Sequence, residues 1–186
     1  MSNLEYCLNL QTGLIEQARQ VPSQHHDYRE KPQDISLLVI HNISLPPKQF
    51  GGPYIDQLFT GQLNPNEHPY FEEIAGLRVS SHLLIRRDGE LVQYVPFHHR
   101  AWHAGVSCFN GREKCNDFSI GIELEGADDV PYERCQYEVL AKITMLLLAA
   151  YPDLTTERIT GHCDIAPERK TDPGPVFEWH YYRSLI

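Results

Sequence analysis

No block of lysine or arginine longer than two residues occurs along the chain, and its formal net charge is −9. Without a basic patch, neither the phosphates of a nucleic acid nor an anionic membrane surface fits as the main partner. A local cationic pocket for an acidic ligand stays open. Long apolar stretches are missing too: the longest, Met145 to Tyr151, is far too short to span a bilayer. Met1 to Thr12 has neither a basic start nor an apolar core, so no secretory signal is read. A cytoplasmic protein without membrane insertion is expected. The five cysteines (Cys7, Cys108, Cys115, Cys135 and Cys163) are odd in number and contain no C-x-x-C pair. That excludes a disulfide framework and a four-thiolate metal site, and free thiols fit a reducing compartment. Internal repeats, low-complexity tracts and a convincing interdomain linker are also lacking. The 186 residues, 41% of them hydrophobic, suffice for one domain with a substantial core. No obvious apolar patch is left over, so a monomer is expected.

What is there has a clear order. Ile35 to His41 (ISLLVIH) is a short apolar, β-branched run, read as a buried strand with Ile35, Leu37, Val39 and His41 on one face. A strand that ends in a polar side chain is what a sheet opening onto a site would show. Residues 42–76 hold five prolines and three glycines before Gly76, which allows only short helices. Such a segment is either a lid or binding loop or a packed, passive surface. His82 to Arg87 and Glu90 to Val95, joined at Asp88-Gly89, predict a hairpin. Ser119 to Glu125 (SIGIELE) alternates, with Ile120, Ile122 and Leu124 toward the core and Ser119, Gly121, Glu123 and Glu125 on the other side. The small residues there leave room above the sheet. Glu133 to Tyr151 carries apolar residues at helical spacing and is followed by Pro152. Ile159 to His162 is a last short strand. Strands, a long helix and a strand feeding a polar loop predict an α/β domain, with helices packed on a mixed sheet.

Ten histidines invite metal chemistry. His25, His26, His68, His98, His99 and His180 stand among polar or loop residues and read as solvated. His82 and His103 read as hydrogen-bonded within the structure or as something more. The densest cluster is TGHCD (Thr160 to Asp164) followed by RKTDPG (Arg169 to Gly174), which offers an imidazole, two carboxylates and two cations. Histidine and aspartate suit zinc, whose catalytic sites use three protein ligands and keep one position open. Spacing alone leaves both Asp164 and Asp172 as the carboxylate, with His41 a possible third ligand. No H-E-x-x-H motif is present. A carboxylate such as Glu123 or Glu125 could move the water proton, and a cation such as Lys170 could stabilise an oxyanion.

Six blocks in order, VIHNISLPP (Val39 to Pro47), FGGPYIDQLFTG (Phe50 to Gly61), RVSSHLLIRRDGELVQYVPF (Arg78 to Phe97), RAWHAG (Arg100 to Gly105), CNDFSIGIELEG (Cys115 to Gly126) and TGHCDIAPERKTDPG (Thr160 to Gly174), resemble the AmpD family. These are 1,6-anhydro-N-acetylmuramyl-L-alanine amidases, related to phage amidases and peptidoglycan-recognition proteins. The resemblance runs from about Val21 to Phe177. It implies a zinc amidase domain over 21–186, with residues 1–20 an N-terminal segment given no function. It implies a single-domain α/β fold, a central mixed β-sheet flanked by helices, with one zinc ion per chain at the sheet edge. By motif position it implies His41, His162 and Asp172 as zinc ligands, Glu123 as general base and Lys170 as oxyanion stabiliser. Asn42, Arg78 and Arg169 match positions that bind the stem peptide, and Trp102 the position where the anhydro-sugar packs. The implied reaction is hydrolysis of the lactyl–L-alanine amide of anhydro-muramyl-peptides in cytoplasmic recycling of peptidoglycan. A non-catalytic fragment sensor and an amidase acting on intact cell wall are the alternatives.

Overall fold

The computed structural model describes residues 5–186. Its centre is a six-stranded sheet built from β1 (Arg19–Gln20), β2 (Leu37–Ile43), β3 (Leu83–Ile85), β4 (Leu91–Gln93), β5 (Ser119–Glu125) and β6 (Ile159–Gly161). Their spatial order is β6-β2-β5-β3-β4-β1. Only the β3–β4 hairpin is antiparallel, with Ile85 opposite Leu91, and the other four pairings are parallel. The hairpin turns at Gly89, whose φ of +87° is open to glycine without strain. The helices are α1 (Tyr54–Phe59), α2 (Pro69–Ile74), α3 (Arg134–Ala150), α4 (His162–Ile165) and α5 (Trp179–Arg183). Among the described residues no helix is long and apolar enough to cross a membrane.

Alternation along the central strands sorts the two faces. Leu38 and Ile40 of β2 and Ile120, Ile122 and Leu124 of β5 pack with Tyr137, Leu140, Ile143 and Leu147 of α3 in the largest core cluster. Each such side chain, fully withdrawn from water, contributes about 1.5–3 kcal/mol. Gln136 of α3 is buried and joins helix to sheet: its amide donates to the carbonyls of Ile85 and Glu125, both at 3.1 Å. Its Oε1 accepts the Glu133 N–H at 3.0 Å, satisfying a donor at the helix start. On the opposite face Leu37 and Val39 pack against Phe118, Ala104 and Ile165. Ile35, expected on that same face, belongs instead to the α3 cluster, because it precedes the strand and does not follow its pleat.

Residues 42–76 form α1, a single 3₁₀ turn and α2, as the proline content predicts. They are a packed wall: Ile55, Leu58, Phe59 and Phe71 join Leu84, Val92 and Tyr94 in a second core cluster. The described part of the first twenty residues is built into the same domain. Ile15 is fully buried and Arg19–Gln20 supplies the sheet edge beside β4. All five cysteines are free.

Candidate active site

Three parallel strands bring chemistry to one end of the sheet. In the register of β2 and β5, His41 lies opposite Glu123, and both occur at odd positions that face away from α3. Gly161 of β6 pairs with Ile40, so the next residue, His162, arrives beside His41 as the chain turns into α4. Carboxyl ends of parallel strands are where open α/β sheets place their sites. Asp172 is held there by its own backbone, whose carbonyl accepts the Cys163 N–H at 2.9 Å and closes the loop after α4. Gly161 gives that loop room, because a Cβ there would stand 2.8 Å from Pro173 Cδ.

The result is a triangle of electron-pair donors. His41 Nδ1 lies 3.0 Å from His162 Nδ1 and 2.9 Å from Asp172 Oδ2, and the third edge, His162 Nδ1 to Asp172 Oδ2, is 3.1 Å. These three residues are the one group of His, Cys, Asp or Glu among the described residues that could hold a metal ion. His162 Nε2 faces the Ala104 carbonyl at 3.1 Å, an acceptor that calls for an N–H there, and so turns Nδ1 toward the Asp172 carboxylate. Burial holds His41 down at about 4 despite the adjacent Asp172 carboxylate, so this ring stays neutral, the form in which imidazole binds metals. Burial alone would raise Asp172, yet its contacts with His162 and His41 outweigh that and hold it far below the usual carboxylate range. The triangle is the face that a tetrahedral ion about 2 Å from each ligand atom would cap. The donor set therefore fits zinc.

Glu123 and Lys170 line the same cavity of about 360 Å³ as the triangle. Burial pushes the Glu123 carboxyl well above its ordinary value, Asp172 pushes it further and Lys170 opposes them. Its Oε2 is buried without a hydrogen-bond partner. Glu125, the other carboxylate on that strand face, is fully engaged: it accepts the Gly51 N–H at 2.6 Å and the Arg87 N–H at 3.2 Å and pairs with Arg86. Asp164 is likewise engaged, accepting from Thr160 Oγ1 at 2.8 Å and Gly161 N at 2.9 Å. Each engaged carboxylate ties backbone together, which leaves Glu123 unpartnered at one oxygen and Asp172 as the carboxylate that meets the two histidines.

The remaining residues singled out from the sequence divide into two groups. Trp102 and Asn42 line the cavity, with Asn42 oriented by a 2.8 Å bond to Asp128 Oδ1. Arg78 and Arg169 stand outside its walls. The Arg78 guanidinium lies 6.0 Å from the Trp102 ring. Arg169 donates to the carbonyls of Ala104 and Val106 at 2.7 and 2.8 Å, and borders a neighbouring groove shared with Lys170 and Asp172. The apolar side of the cavity comes from Leu45, Leu58, Phe59, Tyr70 and Ile74, so residues 42–76 form a wall of the site as well as a packed layer. His25, read as solvated, is buried against Trp102 with rings 6.2 Å apart and 9° from parallel. The room expected above the sheet at Gly121 is filled by His103: a Cβ at 121 would fall 2.5 Å from that ring. The glycine next but one to Glu123 was the sequence signal for a ring packed there.

A mixed sheet with a His/His/Asp triangle that could hold a metal ion, and a buried glutamate beside it, is an arrangement suited to hydrolysis. The chain belongs to the N-acetylmuramoyl-L-alanine amidase family, whose sequence pattern matches residues 31–175. It is 62% identical over 177 residues to the 1,6-anhydro-N-acetylmuramyl-L-alanine amidase AmpD of Citrobacter freundii, covering 95% of this chain and 94% of that protein. It superimposes on the crystal structure of a selenomethionine AmpD derivative with a TM-score of 0.93 at 60% identity, covering 97% of this chain and 99% of that one. A more distant likeness is to Escherichia coli AmiD, an N-acetylmuramyl-L-alanine amidase solved with the substrate anhydro-N-acetylmuramic acid-L-Ala-D-γ-Glu-L-Lys. There the TM-score is 0.60 at 30% identity, over 82% of this chain and 57% of that one.

Proposed function

We propose that this chain hydrolyses the amide between the lactyl group of 1,6-anhydro-N-acetylmuramic acid and the L-alanine of the stem peptide, using one zinc ion held by His41, His162 and Asp172. The observation that carries this reading is the triangle of three donor atoms with edges of 2.9–3.1 Å beside a buried, partnerless glutamate oxygen. High identity to AmpD over nearly the whole chain supports the choice of substrate, and cytoplasmic recycling of wall fragments is the setting we assign.

Zinc in a three-ligand set supplies Lewis acidity, polarising a carbonyl and lowering the pKa of water from about 16 to about 7. Glu123 takes the water proton as oxygen adds to the lactyl carbonyl carbon, then returns it to the alanine nitrogen as the C–N bond breaks. A carboxyl that burial holds partly toward its protonated form serves both halves of that transfer. The Lys170 ammonium, on the same cavity wall, stabilises the oxyanion while charge develops. Trp102 offers an apolar face to the sugar ring. Asn42, Arg78 and Arg169 receive the peptide, whose carboxylates match guanidinium geometry. The products are the anhydro-muramic acid and a peptide with a free N-terminal alanine.

The ligand set is tested by Asp172→Ala. Its zinc content, measured by plasma mass spectrometry after gel filtration, should fall from one per chain to near zero, with turnover lost alongside. Stoichiometric zinc in this variant would refute the assignment of Asp172.

A further inference from the structure

The second nitrogen of each candidate histidine ligand meets one dipeptide. His162 Nε2 faces the Ala104 carbonyl at 3.1 Å, and His41 Nε2 faces His103 Nδ1 at 2.9 Å. The dipeptide is itself pinned, because Asn116 Oδ1 accepts the backbone N–H groups of both His103 and Ala104, at 3.1 and 2.8 Å. The His103 ring lies flat over Gly121, where no side chain larger than hydrogen fits, and its Nε2 sits 3.1 Å from Ser119 Oγ. Ser119 is fixed in turn: its carbonyl accepts from Arg29 Nη2 at 2.6 Å, and Arg29 is buried.

We infer that His103 is a positioning residue that fixes His41 as its Nε2–H tautomer and so aims the His41 Nδ1 lone pair into the metal triangle. The inference rests on the zinc reading above and extends it outward by one layer. With Nδ1 of His41 given to the metal, its ring proton must sit on Nε2, and the acceptor offered there is His103 Nδ1. His103 then carries its own proton on Nε2 and donates it to Ser119 Oγ. A doubly protonated His103 would set N–H against N–H at 2.9 Å, so the geometry requires the neutral ring. Partners of this kind orient a ligand and raise its basicity, and losing one typically costs about 10–100-fold in metal affinity.

The test begins with the unaltered protein loaded with zinc. Long-range ¹H–¹⁵N correlation of its histidine rings should show His103 neutral with the proton on Nε2, and His41 protonated on Nε2. A proton on His103 Nδ1 overturns the inference while leaving the zinc site standing. Failure of the unaltered protein to retain zinc overturns both. Zinc affinity, measured by competition with a chromogenic chelator, supplies the second arm. His103→Asn places an amide oxygen near the lost Nδ1 and should stay within about fivefold of the parent, whereas His103→Leu should weaken zinc by about 10–100-fold. Equal losses in folded Asn and Leu variants, or none in either, would reject a hydrogen-bonding role for His103.

Discussion

Glu123 and Glu125 stand two residues apart on one strand face, and their surroundings give them different work. Glu125 accepts two backbone N–H groups and pairs with Arg86, so its charge is spent on holding the chain at Gly51 and Arg87. Glu123 keeps one oxygen buried and unpartnered. Glu123→Gln should therefore retain zinc while kcat falls by about 10²–10⁴-fold, in a steady-state assay beside metal analysis. It should also change how the zinc-free protein responds to pH. Burial raises the folded carboxyl above the unfolded value of about 4.5, so the folded state binds more protons over that window. This contribution is complete below the unfolded value and declines as pH rises through the folded one. The Tm of the zinc-free parent should fall relative to that of Glu123→Gln as pH rises above about 4.5; parallel curves would contradict the buried, proton-holding state. At this scale the sequence offers His41, His162 and Lys170 as candidates and leaves Glu123 and Glu125 as equal choices for the base. The choice of Asp172 over Asp164 was not legible from spacing, because it depends on a turn in which Asp164 binds Gly161 N and Thr160 Oγ1. Nor was the burial of His25, which follows from a stacking contact with Trp102 across the molecule.

Among the elements, the joint between α3 and the sheet passes through one polar side chain. Gln136→Leu would leave the carbonyls of Ile85 and Glu125 and the N–H of Glu133 without their partner, and should cost about 2–3 kcal/mol in urea unfolding. Zinc content and kcat/KM at 25 °C should stay near the parent's, because the helix lies on the face opposite the cavity. A destabilisation below about 0.5 kcal/mol would mean that water replaces those bonds. The hairpin, α3 and the two long central strands follow from alternation, helical spacing and Asp88-Gly89, and are found within a few residues of their expected limits. The edge strand Arg19–Gln20 is not readable in this way, since two residues carry no period and the pairing partner, β4, lies over seventy residues on. Register is the larger gap. That Glu123 stands opposite His41 depends on how two distant strands align, which neither segment encodes alone.

For the whole molecule, a metal held by His41, His162 and Asp172 would be linked to the fold. Any ion bound only by the folded state adds stability through mass action, about 2.7 kcal/mol at a free concentration of one hundred times its Kd. For a chain of this size that is a rise in Tm on the order of 5–10 °C, which calorimetry of zinc-loaded and chelated protein should resolve. An unchanged Tm would argue against a buried site joining β2 to the loop after β6. The acidic balance of the molecule, −9, also sets its cations in context. An acidic peptide meets overall repulsion, so on the proposed reading Lys170, Arg78 and Arg169 near the cavity would matter more for its capture than on a basic protein. The central claim is tested most directly by incubating purified protein with 1,6-anhydro-N-acetylmuramyl-L-Ala-D-γ-Glu-L-Lys and following the products by mass spectrometry. The account predicts free anhydro-muramic acid and a tripeptide beginning with L-alanine, formation that stops on chelation and resumes when zinc is restored. Intact substrate after incubation with protein shown to hold one zinc per chain would contradict it.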